Sequence, residues 1–116
     1  MLKTIQQRIS DISCSLRVLT ASEAAQELKQ NGGILVDVRE PAEADKEPTP
    51  GSVNFPRGVL EMKMLEKYQD EATPVYLHCA SGVRARLAAE QLMLLGYLNV
   101  SVVDSKVIDI CKYFEQ

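Results

Sequence analysis

The spacing of apolar and polar positions changes period several times along the chain, and each change marks a predicted element. In Met1–Ser15 the apolar residues Leu2, Ile5, Ile9 and Ile12 are three, four and three apart, the spacing of one face of an amphipathic helix. Such a stripe needs a partner, either in its own domain or in a second copy of the chain. Leu16-Arg17-Val18-Leu19 partly alternates and reads as an edge strand. Thr20-Ala21-Ser22-Glu23 is a capping-box signature for a helix reaching Lys29 or Gln30. Asn31-Gly32-Gly33 then supplies residues that tolerate the left-handed conformation in which helices end.

Ile34-Leu35-Val36-Asp37-Val38 is a compact β-branched run bounded by glycines and by Arg39-Glu40-Pro41, which predicts a strand buried on both faces. Four prolines and Gly51 between Pro41 and Pro56 predict a mostly irregular stretch, with a short helical turn at Glu43–Lys46. Leu60–Tyr68 is rich in helix formers, with Leu60, Met64 and Tyr68 in register, and Pro74 opens a strand through Val75–His78. A helix over Arg84–Leu95 places Ala88, Leu92 and Leu95 on one face, with Gly96 as its C-cap. Val100–Val103 reads as a further central strand, and Val107–Phe114 as a short terminal helix carrying Ile108 and Cys111. Strands alternating with helices predict an α/β fold, with a central parallel β-sheet flanked by helices on both faces.

A length of 116 residues suits one domain with one core. We expect that domain over 16–116, with 1–15 as an N-terminal helical extension. Thirteen basic and sixteen acidic residues give a net charge of -3, with both signs scattered, which argues against nucleic-acid binding. No apolar run approaches the ~20 residues that cross a bilayer, and Gln6, Gln7, Ser10 and Asp11 interrupt any signal-like segment. The expectation is a soluble, cytoplasmic protein with no membrane partner. Cys14, Cys79 and Cys111 are odd in number, widely spaced and outside any CxxC or Cys/His pattern. They support neither a disulfide framework nor a metal site, so at least one thiol should be free.

Cys79 ends a predicted strand, and a helix begins a few residues later. In parallel α/β sheets, active sites form where strands end and helices begin. A loop containing Gly82 can turn its N–H groups inward, and the helix N-terminus adds about half a positive charge. That combination stabilises a thiolate or a bound anion, so the sulfur would need no separate base. Arg84 and Arg86 add positive charge, or are simply solvated. A lone cysteine at a strand end is more often a buried small apolar residue; the glycine, the helix start and the arginine reverse that balance here.

Cys79-Ala80-Ser81-Gly82-Val83-Arg84-Ala85 resembles the active-site loop of the rhodanese family. Leu35-Val36-Asp37-Val38-Arg39-Glu40-Pro41 is similar to the family's signature after an earlier central strand. Pro50-Gly51-Ser52-Val53-Asn54-Phe55-Pro56 resembles its Pro-Gly-Ala-x-x-x-Pro stretch, and Leu95-Gly96-Tyr97-Leu98-Asn99-Val100 resembles its helix end and next strand. The likeness spans about Arg17 to Val103. It implies a sulfurtransferase in which Cys79 takes a sulfane sulfur from a small donor anion such as thiosulfate, or from a persulfide, and becomes a persulfide itself. The sulfur then passes to a thiol or cyanide, and a protein persulfide is another partner compatible with the loop. Amides from Ala80, Ser81, Gly82, Val83 and Arg84 would hold the sulfur anion, and no metal or organic cofactor is implied.

Asp37 and Arg39 match family positions and read as structural support, tying loop backbone and forming an ion pair. His78 precedes the cysteine, so alternation turns it to the opposite face and away from a role as base. Arg57 and Lys63 fall in the region that borders the loop in this family and could bind an anion, although most such charges are solvated. Cys14 and Cys111 earn no catalytic role from sequence. Two segments depart from the family pattern: Lys46-Glu47-Pro48-Thr49 replaces Gly-His-Ile, and Asp104-Ser105-Lys106 replaces a Gly-Gly pair. Losing those glycines removes easy access to positive φ, so the second turn should take another path.

Two other functions stay open. A Cys-based phosphatase or arsenate reductase uses a Cys-x5-Arg loop, whereas here four residues separate Cys79 from Arg84 and six separate it from Arg86. The shorter loop suits a sulfur atom better than a phosphate. A non-catalytic binding module or sulfur carrier is the other alternative, and monomer and homodimer are equally compatible with the chain.

Overall fold

A computed structural model describes residues 1–114 of the protein. The chain runs α1 (Ile5–Ile12), β1 (Arg17–Leu19), α2 (Ala21–Asn31), β2 (Ile34–Asp37), α3 (Pro41–Lys46), β3 (Ser52–Asn54), α4 (Leu60–Lys67), β4 (Val75–His78), α5 (Val83–Leu95), β5 (Val100–Val103) and α6 (Val107–Phe114). All strand pairings are parallel, in the order β1-β5-β4-β2-β3. The α/β layering expected from the alternation of elements is therefore present. One sheet face carries Val36, Val75, Leu77, Cys79 and Val102 against Leu60, Met64, Ala85, Ala88 and Leu92 of α4 and α5. The other carries Leu35, Tyr76 and Val103 against Ala21, Ala24 and Ile110 of α2 and α6.

Local sequence explains most element ends. The Thr20 hydroxyl accepts the Glu23 N–H while the Glu23 carboxylate accepts the Thr20 N–H, a complete capping box at the start of α2. Thr4 and Gln7 build the same device at α1, a signal the apolar spacing did not reveal. α1 lies along α5, where Arg8 pairs with Glu90 at 2.7 Å. Its stripe is only half used: Ile12 is buried, but Leu2 and Ile5 are exposed.

Two expectations need correction. The stretch 41–56 is not mostly irregular: α3 fills Pro41–Lys46, and Ser52–Asn54 forms the edge strand β3, paired with β2. Three residues are too few to show a period of two, and flanking prolines hid the strand. Leu95 lies beyond the buried face of α5 and is exposed. In α6 the inward residues are Val107 and Ile110; Ile108 is exposed, and Cys111 is half-buried with its Sγ 3.3 Å from the Pro48 carbonyl.

Gly33 is required for a steric reason. A Cβ there would lie 2.5 Å from the Pro74 carbonyl oxygen, and that oxygen cannot retreat because it accepts the Ile34 N–H at 2.9 Å. Gly33→Ala should therefore lose about 1–3 kcal/mol of stability, read as a lower urea midpoint at unchanged m-value.

Candidate active site

β2 leads on to β3 at one side of the sheet, and β4 leads on to β5 at the other. Their C-terminal ends therefore flank a crevice, the place where parallel α/β sheets bind ligands. Both candidate motifs end there: Asp37 and Arg39 after β2, and Cys79 after β4. The pairing continues past the strand ends, since the Val38 N–H donates to the His78 carbonyl at 3.0 Å.

Cys79 is 1% exposed and packs with Leu77 and Ala85. Its Sγ accepts the Gly82 N–H at 3.0 Å and the Ala85 N–H at 3.4 Å. Gly82 is the N-cap of α5, with φ of 87°, and this left-handed residue swings the chain so that its own N–H and the first turn of α5 converge on the sulfur. Donors aimed at sulfur, at the positive end of a helix, stabilise negative charge there. Ala80 and Ser81 are exposed at the loop's outer side, and Val83 opens the helix.

Arg84 does not project freely toward the sulfur. Its two guanidinium nitrogens donate to the two carboxylate oxygens of Glu43, at 2.5 and 3.0 Å. The pairing holds Glu43 down to about pH 2, with the Arg84 hydrogen bond as the main cause. Arg86 donates to the Gly82 carbonyl at 3.1 Å and to Asp104 at 2.9 Å. Glu43, Arg86 and Asp104 were not singled out from sequence for these roles. Glu43 and Arg84 are far apart along the chain, and only the packing of α3 against the loop brings them together.

Asp37 and Arg39 form a buried pair, with each side chain 2% exposed or less. Arg39 Nη2 donates to Asp37 at 2.8 Å and to the Glu47 carbonyl at 2.8 Å. The Asn54 amide donates to the carbonyls of Asp37 and Arg39. Thus the 46–49 segment is anchored through backbone and needs no glycine. The 104–106 turn is anchored too: Asp104 holds Arg86, and the Ser105 hydroxyl accepts the Ala21 N–H at 2.9 Å. Among the described residues no non-glycine has positive φ, so this turn is made without a left-handed residue.

His78 lies on the face opposite Cys79, as alternation requires, and neither ring nitrogen has a hydrogen-bond partner among the described residues. Burial pushes it down to about 4; nearby Asp37 opposes that shift and Arg39 adds to it. Arg57 is paired with Glu61 at 2.8 Å, and Lys63 is exposed on α4. Cys14 is exposed beyond α1. No group of three or more His, Cys, Asp or Glu side chains among the described residues is placed to hold a metal ion. No helix among them is long and apolar enough to cross a membrane.

The model of the rhodanese-like domain matches residues 20–105. The chain belongs to the rhodanese-like domain family. Solved structures agree with that assignment. A protein of unknown function from Rhodopseudomonas palustris, described as a possible tyrosine phosphatase, superposes with a TM-score of 0.78 at 25% identity, covering 91% of this chain and 87% of that one. The reduced CoADR-RHD protein of Bacillus anthracis is 30% identical with a TM-score of 0.69 over 89% of this chain, which spans 18% of that longer protein. The homodimeric polysulfide-sulfur transferase of Wolinella succinogenes shares the fold at a TM-score of 0.77 and 22% identity, covering 92% of this chain and 81% of that one. Within this rhodanese-like frame, the four motifs read from sequence fall at the ends of β2, β4 and α5 and along β3.

Two outcomes follow from the site. Gly82→Ala forces a Cβ into the Arg86 guanidinium and places a side chain at positive φ; it should cost about 1–2 kcal/mol of stability and slow reaction of Cys79 with a thiol reagent. His78 binds a proton more weakly folded than unfolded, so the unfolded state takes up more protons between about pH 6.5 and about 4. Stability should be full above pH 6.5 and fall through that window by up to about 1.4 kcal/mol per pH unit. Denaturant titrations of wild type and His78→Gln measure this, and the variant should lose that part of the slope.

Proposed function

We propose that this rhodanese-like protein is a sulfurtransferase with Cys79 as nucleophile. The observation that carries this reading is the convergence of the Gly82 and Ala85 N–H groups on Cys79 Sγ at the end of β4. In the first step the Cys79 thiolate attacks the outer sulfur of the donor. The donor's S–S bond breaks, its electron pair leaves on sulfite or on a thiolate, and Cys79 becomes a persulfide. The loop amides of Ala80, Ser81, Gly82, Val83 and Arg84 surround the terminal sulfur and stabilise its charge. A nucleophilic acceptor, a thiol or cyanide, then attacks that sulfur, and the electron pair returns to Cys79. Sulfur is transferred with no net oxidation, and no cofactor enters. Asp37 and Arg39 fix the neighbouring strand end and take no part in the chemistry. A persulfide carrier of this kind suits a reducing cytoplasm.

The likeness to a possible tyrosine phosphatase gives a second reading a concrete basis. Against it, Arg84 lies one residue nearer the cysteine than a Cys-x5-Arg loop requires, and its guanidinium is engaged by Glu43. A third reading, a binding module that keeps the fold without turnover, is separated from the first by the same measurement. After treatment with a sulfane donor, intact mass should show one added sulfur on wild type and none on Cys79→Ala, with thiocyanate released by cyanide. A wild type that gains no sulfur and releases no thiocyanate rules out the sulfurtransferase. Aryl phosphate hydrolysis that disappears in Cys79→Ser would favour the phosphatase.

A further inference from the structure

The charges around the loop narrow the donor. Each guanidinium that the start of α5 brings to the loop is held by a carboxylate: Arg84 by Glu43 and Arg86 by Asp104. A third arginine after β2, Arg39, is buried against Asp37. A groove of about 410 Å³ borders the loop at Ala80, lined also by Arg39, Glu43, Lys46 and Glu47. In that lining the two cations, Arg39 and Lys46, are matched in number by the two carboxylates, Glu43 and Glu47, and Glu40 lies close enough to Arg84 to add further negative potential. The formal charges around the mouth therefore leave no excess of cations, and the donors aimed at the sulfur itself are the backbone N–H groups of Gly82 and Ala85.

Thiosulfate is a dianion, and attack on it expels sulfite with both charges. A thiol persulfide, R–S–S⁻, carries one charge on the sulfur that is transferred, and that sulfur is of a size to enter the N–H cradle. Resting on the sulfurtransferase reading, we propose that the donor of this protein is a thiol persulfide rather than thiosulfate, and that the Glu43–Arg84 pair sets this preference by removing the cation a dianion needs. The step balances: the Cys79 thiolate bonds to the outer sulfur of R–S–S⁻, the S–S bond breaks, and R–S⁻ leaves with the electron pair to take a proton from water.

The test compares kcat/KM for cysteine persulfide and for thiosulfate, with formation of the Cys79 persulfide followed by intact mass. A persulfidated cysteine peptide forms a third arm: saturation by the free amino acid assigns a small thiol as carrier, and saturation by the peptide alone assigns a protein one. Wild type should prefer the persulfide. Glu43→Gln frees one guanidinium; at about 6 Å in water, that charge raises capture of a dianion roughly tenfold and of a monoanion roughly threefold. The persulfide-to-thiosulfate ratio should therefore drop about threefold, and the gain with thiosulfate should fade as salt is added. Asp104→Asn, which frees Arg86 from an exposed carboxylate, should move the ratio in the same direction and covers the case in which Glu43→Gln folds poorly. Equal or better use of thiosulfate by wild type, or an unchanged ratio in both variants, overturns the inference and leaves the sulfurtransferase intact. Absence of sulfur on Cys79 with every donor removes both.

Discussion

Two opposite charges buried side by side at the end of β2 organise this protein. Asp37 and Arg39 have left water almost completely, and such a pair is tolerable only when its remaining donors and acceptors are satisfied. That demand reaches outward through backbone. Arg39 requires the Glu47 carbonyl, which brings the segment after α3 against the strand end. Asn54 takes the carbonyls of both charged residues and so fixes β3 beside β2. With α3 held at both ends, Glu43 stands beside the cysteine loop, and Arg84 has a fixed partner across the crevice. One buried charge pair thereby helps to hold a second ion pair, Glu43 with Arg84, beside the cysteine loop.

The cysteine loop illustrates a division of labour between backbone and side chains. Amides of Gly82 and Ala85 supply the donors, and they cannot be lost by substitution as long as the turn is kept. Side chains act at one remove: Arg86 grips the Gly82 carbonyl, and Asp104 grips Arg86. The turn at 104–106, which lacks the family's glycines, is thus joined to the loop by side-chain contacts. His78 completes the strand end differently, as a neutral buried ring on the far side of the sheet.

Much of this was legible in the sequence because local chemistry determines it. Thr20 and Glu23 announce a capping box, Gly96 a helix end, and the run Ile34–Val38 a buried strand. The cysteine's placement between strand and helix could likewise be read directly, as could the pairing of Asp37 with Arg39. What escaped depends on distant residues meeting. Arg84 looked like a free cation because Glu43 is remote in sequence, and Arg86 looked solvated because Asp104 lies beyond the next strand. β3 was hidden because three residues between prolines carry no periodic signal. Leu95 was misassigned because an apolar residue near a helix end can satisfy the spacing rule and still lie past the edge of the layer it should cover.

The sheet's two borders bear on how the protein behaves when crowded. β1 and β3 are three residues each, while the longer, more apolar strands lie between them. A neighbouring molecule seeking to extend the sheet finds few open backbone groups on either side, flanked by Arg17 at one border and by prolines at the other. The apolar inner strands are thus shielded by borders that offer little seam for fibre growth.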